Sequence, residues 1–355
     1  MGNFCREAKS VVRCTGRAML VLGLALGVAA TAQSQPARPS PAAIQAELDA
    51  LIKAAKAEGE VVFYASATEN VAKRTGDAFT AKYGVKVRYT RFPGAQAVLR
   101  FASEAAAGSF SADLMFIAGS AIIFGEDAIK KGWVDSIPNS GLPVVKSGEF
   151  PARFITGPTA IIQIAPWYVA YNTDKLKAVD VPKNWPDLLK PHLKGQILLP
   201  DPRSSDSYLD FWALLIDKYG EGFFAQLRAQ NPRFYSSGVP AVQALAAGEG
   251  FVEVPAVPAL ITATQAKGAP LAMATVDLTV GVEMQVMLTA RAKAKNPNAA
   301  RLLANYAMTP EGNKVFNDDP GSSTVYDSTR LPKEYQSPKV GTVNRRAEIV
   351  KVLGL

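Results

Sequence analysis

Cysteine is almost absent from this chain of 355 residues: Cys5 and Cys14 are the only two, and both lie in the opening segment. The rest therefore carries no disulfide, thiolate nucleophile or zinc–thiolate site, and its stability must come from packing. Histidine is scarcer still. His192 stands alone, so any Ser-His-Asp triad, Cys-His dyad or multi-histidine metal centre must use it or be absent. It sits in Leu-Lys-Pro-His-Leu-Lys-Gly, between a Pro and a Gly that mark a surface connection, where a solvent or packing role outweighs a catalytic one. Gly-x-Ser-x-Gly, a Walker phosphate loop and a paired-His helix are all missing, so hydrolytic classes lose support and an enzyme is not expected. No basic stripe interleaved with aromatics points to nucleic acid, and no segment after residue 32 is long and apolar enough to span a membrane.

What is present begins with an expected export signal over residues 1–32. Arg6, Lys9, Arg13 and Arg17 form a basic leader, Ala18 to Ala29 is apolar, and Ala30-Thr31-Ala32 offers the small residues that precede cleavage before Gln33. The apolar run is shorter than the ~20 residues of a transmembrane helix, and Arg13 before Cys14 does not suit a lipid-attachment box. A periplasmic protein released by cleavage is the expectation. Its remaining ~320 residues exceed one ordinary core, which favours two lobes and a cleft over a single barrel. Over residues 33–355, 35 Lys and Arg face 30 Asp and Glu, a balance that supports no more than a mild preference for anionic ligands.

Gln33 to Ser40 is polar and carries prolines, as a disordered leader would. Ser40-Pro41 then reads as a helix start, with Ile44, Leu48, Leu51 and Ile52 on one face and Gly59 as the stop. Val61 to Tyr64 reads as a buried strand, followed by a helix through Phe79 to Tyr83 and a strand over Val85 to Tyr89. Asp113 to Ala118, Ile197 to Leu199 and Arg233 to Tyr235 each lead through small polar residues into a helix, which argues for parallel sheets. Trp167 to Asn172 and Leu271 to Val276 read as extended crossings between two lobes. Asn296-Pro297 and Thr309-Pro310 each place an N-cap residue before Pro at N1.

The loops between these strands and helices share one property. Each presents free backbone N–H groups and the positive end of a helix dipole at the sheet edge where ligands of open α/β sheets bind. Ser66, Thr68, Ser120, Ser204, Ser205 and Ser237 supply small hydroxyls there, as candidate ligand contacts that can equally serve as caps. Arg203 is the expected anion clamp, with Arg203→Ala expected to cost one or two powers of ten in affinity. Tyr168 is a candidate to stack on the ligand or close the cleft, and Glu253, in the apolar run Phe251-Val252-Glu253-Val254, needs a partner if buried and is a candidate to face the cleft and meet a cationic group.

Several segments together resemble the extracellular solute-binding proteins of bacterial ABC importers, in the branch that includes the periplasmic ferric-ion-binding proteins. They are Gly59-Glu60-Val61-Val62-Phe63-Tyr64-Ala65-Ser66, Ala112-Asp113-Leu114-Met115-Phe116, Tyr168-Val169-Ala170-Tyr171-Asn172-Thr173, Asn184-Trp185-Pro186-Asp187-Leu188-Leu189 with Lys194-Gly195, Ala246-Ala247-Gly248-Glu249, and Asn296-Pro297 through Thr309-Pro310-Glu311-Gly312. The resemblance implies a two-lobed α/β fold of the type II periplasmic-binding-protein kind. Each lobe is then a mostly parallel sheet flanked by helices, with two extended hinge crossings: one lobe from residues 33–150 and 278–355, the other from 151–277. It further implies hinge closure on a small solute, delivery to a membrane permease, a monomeric state and no cofactor.

Iron binders of this branch follow the Gly-Glu strand with adjacent tyrosines. Here that stretch reads Glu253-Val254-Pro255-Ala256-Val257-Pro258, and Ala65-Ser66-Ala67-Thr68 stands where many place a histidine after the first strand. Ferric ion prefers hard anionic oxygen ligands, so the leading expectation is a small anionic organic solute, such as a carboxylate, phosphonate or sugar phosphate. A ferric-ion carrier is the alternative, and a secreted enzyme on a two-lobed α/β fold is the alternative of another class.

Overall fold

Ser40 opens the first helix, Pro41–Glu58: its hydroxyl accepts from Ala43 N at 3.3 Å, and Gly59, with φ of 80°, ends it. A computed structural model of the protein describes residues 38–119, 121–319 and 321–355. The expected export signal, its cleavage point and Ser120 lie outside the described residues.

Strands Glu60–Ala65, Lys86–Arg91 and Leu114–Ile117 pair in parallel, with Glu60–Ala65 in the middle, and form one edge of the first sheet. Antiparallel pairing completes it through the long strands Gly281–Thr289 and Thr159–Pro166. Side chains alternate between its faces, as a pleated strand requires. Phe63, Leu114, Phe116, Val286 and Leu288 pack on one side with helices Pro41–Glu58, Glu69–Tyr83 and Pro297–Met308. Tyr64, Met115, Ile117 and Met287 pack on the other with helices Gly94–Ala106 and Ala121–Lys130.

The second sheet runs Leu271–Ala274, Tyr168–Asn172, Val252–Ala256, Ile197–Pro200, Arg233–Tyr235. Its strand–helix units are parallel, as expected, and its crossing strands are antiparallel. Helix Asp206–Ala229, broken at Gly220, buries Phe211, Trp212 and Leu215 against Val169, Ile197, Leu199 and Val252, and helix Arg346–Leu353 adds Ile349 and Val352. Helices Gly238–Ala246 and Pro258–Gln265 cover the opposite face.

The chain passes between the sheets at Trp167, where Thr159–Pro166 ends and Tyr168–Asn172 begins, and returns between Ala274 and Gly281. The two passages lie side by side: Trp167 N donates to Val280 O at 3.0 Å, and Thr279 Oγ1 donates to Trp167 O at 3.1 Å. The first sheet thus runs through Pro166, beyond the expected limit at residue 150, because Thr159–Pro166 pairs with Gly281–Thr289. The C-terminal helix, expected with the first lobe, packs instead on the second lobe's core through Ile349, Val352 and Leu353.

Candidate functional site

The carboxyl ends of the parallel strands from both sheets open onto one cleft of about 310 Å³. From the first lobe come Ser66, Ala67 and Thr68 after Glu60–Ala65, Arg91 at the end of Lys86–Arg91, and Gly119 after Leu114–Ile117. From the second come Ser204 and Ser205 after Ile197–Pro200, Ser237 and Gly238 after Arg233–Tyr235, and Pro258 to Leu260 after Val252–Ala256. Trp167, on the first crossing, and Val282, just past the second, also line it.

The hydroxyls divide by use. Ser66 Oγ accepts from Ala118 N at 3.0 Å and ties two cleft loops together. Ser204 donates to Asp201 O at 2.7 Å, and Ser205 accepts from Ser207 N at 3.3 Å. Thr68 and Ser237 sit at the N-caps of Glu69–Tyr83 and Gly238–Ala246, yet neither side chain makes a capping bond. Their hydroxyls remain for the cleft.

Charge is sorted just as sharply. Asp319 lines the cleft but is gripped by Arg74, whose Nη1 and Nη2 reach its two carboxylate oxygens at 2.9 and 2.7 Å. Asp206 lines it too, paired with Arg346 at 2.7 Å. Arg91 is held at the mouth by its Nε, which donates to Ala67 O at 3.0 Å, and no carboxylate among the described residues pairs with its fork. Each acid is neutralised from behind while this one cation is not, so the cleft favours negative charge.

Arg91 was not foreseen, because the sequence reading ended its strand at Tyr89. The rule that selected the other loops would have found it had Thr90 and Arg91 been read as strand. Arg203 is not brought to the cleft: its guanidinium is exposed and lies on Asp201, with Nε 2.9 and 3.0 Å from the two carboxylate oxygens. That hydrogen bond is the main cause holding the Asp201 carboxyl below its ordinary range. Tyr168 is buried beside the cleft without lining it, its hydroxyl directed to Gly321 O at 3.4 Å. Glu253 is 1 % exposed and lies beneath the wall at Gly238. His192 is exposed on the turn Pro191–Leu193, outside the cleft.

Behind the cleft, Asp206, Asp210 and Glu283 meet across the hinge in a smaller hollow of about 50 Å³. Burial pushes Asp210 up to about 7; the hydrogen bond from Thr342 opposes this, and the charges of Asp206 and Glu283 reinforce it. The folded protein therefore binds a proton that an unfolded Asp, at 3.8, has already released, so this contribution to stability is full below pH 4 and disappears as pH rises through 7. Asp210→Asn should remove that loss. Chemical denaturation is expected to show the variant gaining about 1–2 kcal/mol on the parent at pH 8, and far less at pH 5. An equal difference at both pH values would exclude the protonated carboxyl.

The family model for bacterial extracellular solute-binding proteins matches residues 61–319. The chain belongs to this family. Solved structures share its fold. A substrate-binding protein of an ABC transporter from Agrobacterium tumefaciens superposes with a TM-score of 0.69 at 17 % identity, covering 83 % of this chain and 94 % of that one. The periplasmic binding protein AfuA from Actinobacillus pleuropneumoniae, with fructose-6-phosphate bound, gives 0.62 at 22 % identity over 82 % and 97 %. Iron-bound HitA from Pseudomonas aeruginosa gives 0.63 at 18 % identity over 83 % and 99 %. These superpositions show a shared two-lobed fold. By the family match, the protein is a bacterial extracellular solute-binding protein.

Proposed function

We propose that the protein captures a small anionic organic solute between its lobes and delivers it, enclosed, to a membrane permease. The observation that carries this reading is Arg91: among the described residues, a cation without a carboxylate partner in a cleft whose acids Asp206 and Asp319 are both paired with arginines. The uncommitted hydroxyls of Thr68 and Ser237, each at a helix amino end, add donors suited to an anion. Ser66 shapes the first-lobe wall and Ser204 and Ser205 the second-lobe wall; Ser120, outside the described residues, is kept as a candidate contact on its sequence position. Tyr168 and Arg203 act from outside the cleft, by supporting neighbouring chain.

Iron is the weaker cargo. Tyr208 is the one tyrosine lining the cleft among the described residues, and burial, followed by the nearby Glu253 charge, pushes its ionisation up, against the phenolate a ferric ion would need. A catalytic reading gains nothing from His192, which lies on an exposed turn. The mature protein, freed of residues 1–32, acts as a monomer, binding without chemical turnover. The two large sheets and their cores support lobes of 38–166 with 281–335, and 167–280 with 336–355, with the short pair Leu278–Thr279 and Glu334–Tyr335 joining them.

Small-angle scattering tests the closure. Saturation with a tight anionic ligand should reduce the radius of gyration and sharpen the two-lobe profile. Tight binding with an unchanged profile would mean that the lobes do not close on the ligand.

A further inference from the structure

Two buried polar side chains in the cleft are left short of partners by the fold. Gln163 and Ser322 both line it and are 6 % and 4 % exposed. Among the described residues the Gln163 side chain makes one hydrogen bond, from Nε2 to Ser322 Oγ at 3.5 Å, the outer limit for such a contact. A primary amide carries two N–H donors and a carbonyl acceptor, so one N–H and the oxygen of Gln163 stay open, as does the hydroxyl hydrogen of Ser322. Buried polar groups are rarely kept in that state without a reason.

The surroundings hold both groups in place. Gln163 and Ala165 on Thr159–Pro166 lie opposite Met284 and Val282 on Gly281–Thr289, and all four line the cleft. Ser323 bridges to Ile164, each N–H donating to the other's carbonyl at 2.8 and 3.2 Å, which sets Ser322 beside Gln163. The amides of Asn313 and Asn317 donate to Ile162 O at 2.7 and 2.8 Å on the same strand, and Arg74 neutralises Asp319 three residues before Ser322. Ser66 Oγ meets Met284 Sδ at 3.5 Å, so this floor continues into the loop that carries Thr68 and, through Ala67, holds Arg91.

We propose that Gln163 and Ser322 grip a hydroxyl group of the ligand, so that the transported solute is a hydroxylated organic anion. An amide and a hydroxyl with no unpaired charge beside them match a neutral group that both donates and accepts, whereas a carboxylate only accepts and an ammonium only donates. Ala165, Val282 and Met284 give the intervening carbons an apolar bed. The inference rests on the anionic reading above, which supplies the other end of the molecule at Arg91 and Thr68.

Isothermal titration of the full mature protein with matched pairs tests this: gluconate against hexanoate and sorbitol 6-phosphate against hexyl phosphate, with sorbitol as the hydroxyl-only probe. The hydroxylated anions are expected to bind at least tenfold more tightly than their unsubstituted partners, because a site built to hydrogen-bond a hydroxyl is left unpaired by the analogue that lacks it. Gln163→Met, which keeps the length and removes the amide, should cut that preference to about threefold or less while hexanoate and hexyl phosphate bind as they do to the parent, and Ser322→Ala should reduce it by a smaller factor. Retention of the full preference in both variants would overturn the assignment to these residues. Equal or tighter binding of the unsubstituted anions would overturn the hydroxyl reading and leave the anionic one standing. Binding of sorbitol without the anions would overturn the anionic reading and leave Gln163 and Ser322 as the hydroxyl's partners, and binding of none would overturn both.

Discussion

An Arg91→Ala protein should bind its anionic ligand ten- to a hundredfold more weakly than the parent, with its fold intact. The residue is exposed and its guanidinium makes one hydrogen bond among the described residues, Nε to Ala67 O, so its removal disturbs little structure. Charge-assisted hydrogen bonds to an anion contribute about 1.5–3 kcal/mol, which sets the range. Arg91→Lys should recover only part of the affinity, because an ammonium cannot present two parallel donors. Raised salt should weaken the parent more than the alanine variant. Arg203→Ala is the paired control. With its fork resting on Asp201, it should now change affinity less than about threefold. Calorimetry on the three variants ranks them, and a loss at Arg203 exceeding that at Arg91 would restore the clamp anticipated from the sequence.

The second large effect is expected at Gly281, where the returning chain enters the first sheet opposite Pro166. A Cβ there would fall 2.4 Å from Ala165 O and 2.7 Å from Pro166 Cα, both main-chain atoms that can yield only if the strands part. Gly281→Val should therefore cost about 3 kcal/mol or more in denaturant unfolding, beyond the usual range for overpacking, and impair closure because the hinge itself is pried open. Gly222→Ala makes the contrast. That glycine is exposed on helix Asp206–Ala229, with nothing within 4 Å of its added Cβ, and substitution should gain about 0.5–1 kcal/mol. A Gly281→Val protein as stable as the parent would mean that the crossings are not locked at this point.

Local chemistry made much of this fold legible in the sequence. Ser40-Pro41 and Thr309-Pro310 start helices where their residue types require, and Thr309 Oγ1 accepts from Gly312 N at 3.2 Å. Asn296-Pro297 also starts a helix, but for a different reason. The Asn296 amide donates to Asp113 at 3.0 Å, and the carboxylate that receives the first N–H groups of Pro297–Met308 is Glu58, at 2.7 Å from Ala299 N. That cap comes from a residue some 240 positions away, beyond any local pattern. The long strands Thr159–Pro166 and Gly281–Thr289 were missed for a related reason: Gln163, Glu283 and Gln285 interrupt their apolar runs and are buried by partners on other segments.

The site was legible as a set of loops and illegible as a set of side chains. Ser66, Thr68, Ser204, Ser205 and Ser237 do share one cleft, since strand ends of a parallel unit must lie at one edge. Which hydroxyl is spent on backbone, and which arginine on a neighbouring aspartate, depends on side-chain direction. Arg203 lies two residues from Asp201 and folds back on it, whereas Arg91 lies at a strand end and pairs with no carboxylate among the described residues.

Native mass spectrometry of the mature protein, residues 33–355, purified from an exporting host without refolding, tests the central claim most directly. The expected result is a bound organic anion whose mass disappears on denaturation, survives chelator and is lost in the Arg91→Ala protein. Bound iron that chelator removes, with no organic mass beside it, would contradict the account.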